Sequence, residues 1–400
     1  MLKQVGSFDP VPKDDLLNRI DRLRHLMAGA GIDFAFMVQS VDRFYFTGTM
    51  QKGVVVIPLE QEPLIFVEKG TERAAMETPL AITPVKNDRE IGDILSDRHL
   101  LKGKAGLELD VLPVAVFDRL KRVVGFGRYA DISKQIKEVR AIKSRFELDQ
   151  IMRSGEMLSH VFARARDEVR EGRTELEIEA VLMSASRKMG HQGLLRMRGI
   201  NQEMMTMTVQ AGFTGALPTL LDAPITGIGV TPAVPQGSSF KEVERGVPVT
   251  IDYGGGYNGY ITDETRTFVV GELREPFRRP YETAQSIIED VIAFARPGTD
   301  CRDIFRRADD MARKAGLREY FMGYGEGKVG FIGHGLGLEI NELPVLTPRH
   351  EMLLERGMVF AFEPKFVLPN LGAVGIEIDL IVGPDRVERV TTNSTDIARI

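Results

Sequence analysis

Asp252, Asp263, His334, Glu363 and Glu377 are the residues of this chain whose types and settings could carry out chemistry. They stand in IDYGGGYNGYITDETRT, GHGLGLEINELP, GMVFAFEPKF and GAVGIEIDLIVG. Four carboxylates and an imidazole are costly to bury together, because like charges at close range raise one another's pKa unless a cation compensates them. Two divalent metal ions sharing the carboxylates as bridges would do so, and would supply a hydroxide nucleophile at neutral pH. Each residue alone also has a plainer reading. Aspartates favour turns, a His in a Gly-rich turn can cap a strand, and a Glu at a strand end or on an outward face is solvated.

The segments that must position these residues read as strands: 248–254, 259–270, 358–364 and 375–383. Asp252 ends an apolar strand, and Asp263 follows a tight turn at Tyr257-Asn258-Gly259, so a hairpin can return the second aspartate beside the first. Pro364 fixes the exit of the chain after Glu363. Helical spacing continues from Leu148, and Thr174 with Glu177 forms a capping box for a second helix ending near Gly190. Two more helices fit Tyr281–Ala295 and Arg302–Ala315, on either side of Arg296-Pro297-Gly298. Helices packed on one face of a curved antiparallel sheet are the expected arrangement.

Taken in order and with their flanks, these residues resemble the pita-bread metallopeptidases, the family of aminopeptidase P, prolidase, methionine aminopeptidase and the metal-free creatinase. Gly254, Gly259, Tyr260, Thr262, Asp263, Thr265, Arg266 and Thr267 match its pattern through the whole hairpin. The resemblance implies that Asp252 chelates one metal ion and that His334 and Glu363 bind the other. Asp263 and Glu377 would then bridge the two. It also implies that Glu363 carries the proton between nucleophile and leaving amine. The oxygen-rich set suits Mn, Co, Zn or Fe, with Mn first by family precedent.

The pattern breaks in three places. The family's second histidine, seven positions after the metal His, is here Asn341, in Asn341-Glu342-Leu343-Pro344; an Asn can donate to an oxyanion but cannot shuttle a proton. No His occurs between His191 and His334, so the other accessory histidine is absent, with Pro235-Gln236-Gly237 or Pro218-Thr219 in its place. Gly375 stands where the family often has Arg. The segment from Arg196 to Phe240, rich in Met, Gly and Pro, reads as core packing or a dimer contact ahead of a remodelled substrate wall. His191 reads as a surface helix cap ahead of a replacement proton donor.

The first third alternates helix and strand. Leu16–Ala28 has helical spacing, 33–39, 53–59, 63–68 and 105–110 are strand-like, and a helix fits Val114–Val124. GIDFAFMVQSVDRFYFTGT resembles the N-terminal domain of creatinase and aminopeptidase P, ending in Tyr45, Phe46, Thr47 and Gly48. Ile142, Lys143, Ser144 and Glu147 mark the join. The expected fold is α+β: a pita-bread catalytic domain over 143–400, preceded by a smaller creatinase-like α/β domain over 1–142.

At 400 residues the chain is long for one core. A net charge of −5 gives no electrostatic case for nucleic acid or an anionic membrane. The single Cys301 excludes an internal disulfide framework and reads as a buried structural thiol. MLKQVGSFDPVPKDD has no apolar core of a signal peptide, and no stretch approaches a membrane span. The expected protein is a cytoplasmic homodimer binding two divalent metal ions. It would act as an Xaa-Pro aminopeptidase or Xaa-Pro dipeptidase on a small peptide. The alternatives are a creatinase-like hydrolase or lyase acting on a small amide, guanidino compound or osmolyte, and an inactive peptide-binding scaffold.

Overall fold

The computed structural model describes residues 9–400, in two compact units: 9–140 with 198–202, and 141–197 with 203–400. The reading of the N-terminal segment as lacking a signal peptide falls largely on residues outside those described.

The first unit carries a six-stranded mixed sheet in the order β4-β3-β2-β1-β5-β6. Its strands are β1 (Phe34–Met37), β2 (Gly53–Pro58), β3 (Leu64–Val67), β4 (Ile82–Pro84), β5 (Lys104–Leu107) and β6 (Arg128–Asp131). Strands β1 and β3 are buried at every position, which is why they read as continuous apolar runs rather than alternating ones. Tyr45, Phe46 and Thr47 close a helix, Ser40–Thr47, that Gly48 ends in the left-handed conformation. Buried Asp42 accepts from Arg140 and Arg198, and Arg198 also grips Asp110 through two nitrogens. That clamp explains why 198–202 groups with this unit.

In the second unit the capping boxes at Ser144/Glu147 and Thr174/Glu177 start helices Arg145–Glu168 and Glu175–Lys188. Both pack their apolar faces on a sheet ordered β17-β9-β8-β7. Its strands are β7 (Met207–Ala211), β8 (Pro248–Tyr257), β9 (Tyr260–Val269) and β17 (Ala398–Arg399). A second sheet runs β11-β10-β12-β15-β16. It comprises β10 (Gly333–Gly335), β11 (Glu342–Val345), β12 (Val359–Phe362), β15 (Ile378–Val382) and β16 (Val387–Arg389). A separate hairpin joins β13 (Lys365–Leu368) to β14 (Gly372–Gly375). Helices Arg278–Phe294 and Cys301–Lys314 cover this side with one apolar core.

The curved surface is therefore built from three pieces, antiparallel apart from the β17–β9 pair. The segment 196–240 divides. Met207 and Val209 are core residues of β7, whereas Met205, Phe213, Leu220 and Phe240 are exposed. Among the described residues no helix is long and apolar enough to cross a membrane. Cys301 is fully buried, which pushes its thiol up to about 12 and leaves it a packing residue.

Candidate metal centre

Asn258 and Gly259 both take positive φ, giving the tight turn whose twist suits a hairpin. The resulting register sets Gly254 opposite Asp263 and Asp252 opposite Thr265. Since alternate residues of a strand share a face, Asp252 and Asp263 point to the same side, one pair apart. His334 is the middle residue of β10, clasped between β11 and β12. A Cβ on Gly333 would lie 2.3 Å from the Ala361 carbonyl oxygen, and one on Gly335 2.1 Å from that of Leu343, so only glycine fits on either side of the imidazole. Glu363 follows β12 directly, with its N–H donating to the Ile332 carbonyl.

Glu377 lies between β14 and β15 rather than inside a strand, and this irregularity turns its side chain inward. Its N–H donates to the Thr265 carbonyl, and its own carbonyl accepts from the Arg266 guanidinium at 2.6 Å. The Thr265 hydroxyl donates to Glu377 Oε2 at 2.8 Å. Asp379, fully buried, accepts the Asp263 N–H at 2.8 Å. These contacts fasten β9 to the start of β15 and hold the two bridging candidates together.

His334 Nε2 is 3.9 Å from Asp263 Oδ2, 4.0 Å from Glu363 Oε1 and 3.8 Å from Glu377 Oε1. These separations exceed a hydrogen bond, yet they suit donors arranged around one small cation. Ligand atoms of Asp263, His334 and Glu377 all lie within 4.8 Å of one another. One nitrogen among carboxylate oxygens is a donor set that several divalent ions accept. The residues on this side fit a metal ion.

The Asp252 side holds a group that the sequence reading did not single out. Lys365 Nζ lies 3.1 Å from Asp252 Oδ2, 3.0 Å from Glu363 Oε2 and 2.6 Å from Glu377 Oε2. Its side chain is 3% exposed. Burial alone would lower the lysine's pKa, but Asp252, Glu363, Glu377 and Asp263 together hold it well above the ordinary value, so it is an ammonium. Glu377 is nevertheless pushed up to about 8, by burial first and by Glu363 and Asp252. Asp263 is also raised, by burial and then by Glu377 and Asp252. One ammonium leaves four carboxylates short of positive charge. The signal that could have found Lys365 is its spacing: it stands two residues beyond Glu363 in a chain that runs extended past Pro364.

The reading of His191 changes in the structure. His191 is 1% exposed and no surface cap: its Nε2 meets the Gly254 carbonyl at 3.0 Å and its Nδ1 accepts the Gly193 N–H at 2.9 Å. Both ring nitrogens are thus held by backbone. Asn341 is exposed, in the turn that enters β11. Beside it, Glu342 is buried and accepts from the N–H groups of Leu338 and Glu339 and from Lys143 Nζ.

Residues 19–142 match the creatinase/prolidase N-terminal domain. An Xaa-Pro dipeptidase from Pyrococcus furiosus is 29% identical over 381 residues, covering 95% of this chain and 99% of its own length. Among solved structures, an Xaa-Pro dipeptidase from Bacillus anthracis is 25% identical and superposes with a TM-score of 0.82 over 96% of this chain and 100% of that one. A prolidase from Pyrococcus furiosus is 27% identical with a TM-score of 0.77, over 93% and 99%. An X-Pro aminopeptidase from Thermotoga maritima, at 24% identity, shares the fold with a TM-score of 0.78 over 95% and 99%. The match that takes in all five clustered residues spans 149–384, and by it the chain belongs to metallopeptidase family M24.

Proposed function

We propose that this chain is a metal-dependent hydrolase that cleaves the bond between an N-terminal residue and proline, as an Xaa-Pro dipeptidase or Xaa-Pro aminopeptidase. The observation that carries the reading is the convergence of Asp263, Glu363 and Glu377 on His334, in a chain whose relatives over its full length include Xaa-Pro dipeptidases. A divalent ion held there would polarise the scissile carbonyl and acidify water. Glu363, buried and touching both the His334 side and Lys365, is assigned the proton carrier. Asn341 is assigned a donor role toward the developing oxyanion. Mn is the first choice of ion, with Co, Zn and Fe behind it. A homodimer in a reducing, cytoplasmic setting fits the resemblance and the buried lone cysteine.

The absence of any His between His191 and His334 favours a second reading, in which the same centre hydrolyses a small amide, guanidino compound or osmolyte. A panel of Ala-Pro, longer Xaa-Pro-Xaa peptides and small amides, assayed on Mn-loaded protein, separates the two. Weak release of the residue ahead of proline is expected. Turnover of the small amides with no peptide cleavage would replace the first reading by the second.

A further inference from the structure

We propose that the Lys365 ammonium is a built-in counter-ion that takes the position of one divalent ion, on the Asp252 side, so that this chain holds a single metal ion beside His334. The inference rests on the metal-binding reading above and departs from the two-ion expectation raised by the sequence.

The geometry is that of two cation positions sharing one set of carboxylates. Glu363 turns Oε2 to Lys365 and Oε1 to His334, and Glu377 divides its oxygens in the same way. Asp252 meets the lysine and is not among the groups gathered around the imidazole. An ammonium has three donors, and three carboxylates surround this one at 2.6–3.1 Å. A second divalent ion would need the same oxygens. Its entry would have to expel a side chain that is 3% exposed from two charge-assisted hydrogen bonds, to Asp252 and Glu377, and from an ion pair with Glu363.

An independent feature makes room for the lysine. Lys365 pairs with Gly375 across the β13–β14 hairpin, and a Cβ at Gly375 would approach Lys365 Cγ to 2.6 Å and its Cα to 2.8 Å. Any side chain at position 375 would press on the stem that carries the ammonium inward. The glycine and the lysine therefore form one device, which delivers a fixed positive charge to Asp252, Glu363 and Glu377.

The test is metal stoichiometry. Wild-type protein and Lys365→Met are stripped with chelator, saturated with Mn(II) and analysed for bound metal, and thermal melting is recorded with and without the ion. One equivalent is expected in the wild type and two in Lys365→Met, and Mn should raise the melting temperature of the variant more than that of the wild type. Two equivalents in the wild type would overturn the inference while leaving the metallohydrolase reading intact. One equivalent in both proteins would also overturn it, since the lysine would not be what keeps the second ion out. No metal in either would overturn both. If Lys365→Met cannot be folded even in Mn, Lys365→Arg replaces it: one equivalent supports the inference and two contradict it.

Discussion

Lys365 and Gly375 stand opposite each other in the β13–β14 hairpin, and the space a Cβ would take at Gly375 is filled by the lysine stem. The glycine at 375, where the family resemblance led to an expectation of arginine, and the lysine two residues beyond Glu363 are two halves of one arrangement. Gly375→Ala should force the Lys365 side chain or its strand to shift. Overpacking of this kind costs about 1–3 kcal/mol. Urea denaturation should show a lower midpoint, and an unchanged midpoint would mean that the hairpin relaxes freely.

Glu363→Gln keeps the volume of a buried side chain but removes its capacity to take up a proton. Loss of general acid–base catalysis typically lowers rate by roughly 10²–10⁴-fold. A fall in kcat of that size is expected on any substrate the enzyme turns over, with the fold retained by circular dichroism. Near-normal turnover would assign the proton to another group.

Lys143→Met tests the loop between β10 and β11. Lys143 and Glu342 form a buried ion pair at 3.2 Å, and Glu342 also accepts the Leu338 and Glu339 N–H groups. Removing one partner of a buried pair typically destabilises by about 3–5 kcal/mol. A loss well below that range would show that the turn reorganises to admit water.

Much of this was legible in the sequence. The β8–β9 hairpin was, because the turn residues and the spacing of Asp252 and Asp263 fix its register. The capping box of Thr174 and Glu177 was too, since it is local: the two residues satisfy each other's backbone groups within one turn. What sequence could not supply was long-range. The spacing of Lys365 from Glu363 hints at a shared face, but its contact with Asp252, 113 positions earlier, appears only in the fold. His191 looked like a surface cap because the Gly254 carbonyl that receives it lies far along the chain. Strand β7 was hidden in a Met- and Gly-rich stretch, and only its pairing with β8 reveals it. Glu377 was read inside a strand, yet the break between β14 and β15 is what aims it.

His191 also makes stability depend on pH. Burial lowers its pKa, an effect that the Gly254 carbonyl opposes and Arg187 adds to, with a net shift below 6.5. Between the folded and unfolded pKa values the unfolded chain binds more protons, so stability falls as pH drops below about 6.5. Protonation also removes the acceptor for the Gly193 N–H. The drop in melting temperature from pH 7.5 to 5.5 should be smaller in His191→Gln than in wild type. Equal drops would remove His191 from the account.

The most direct measurement is the anomalous scattering map of a cobalt-soaked crystal, recorded at the cobalt edge. The expected result is one peak in the space bounded by Asp263 Oδ2, His334 Nε2, Glu363 Oε1 and Glu377 Oε1, with Lys365 still in contact with Asp252. An empty map at those four atoms, in crystals that bind cobalt elsewhere, would contradict the assignment of this cluster as the metal centre.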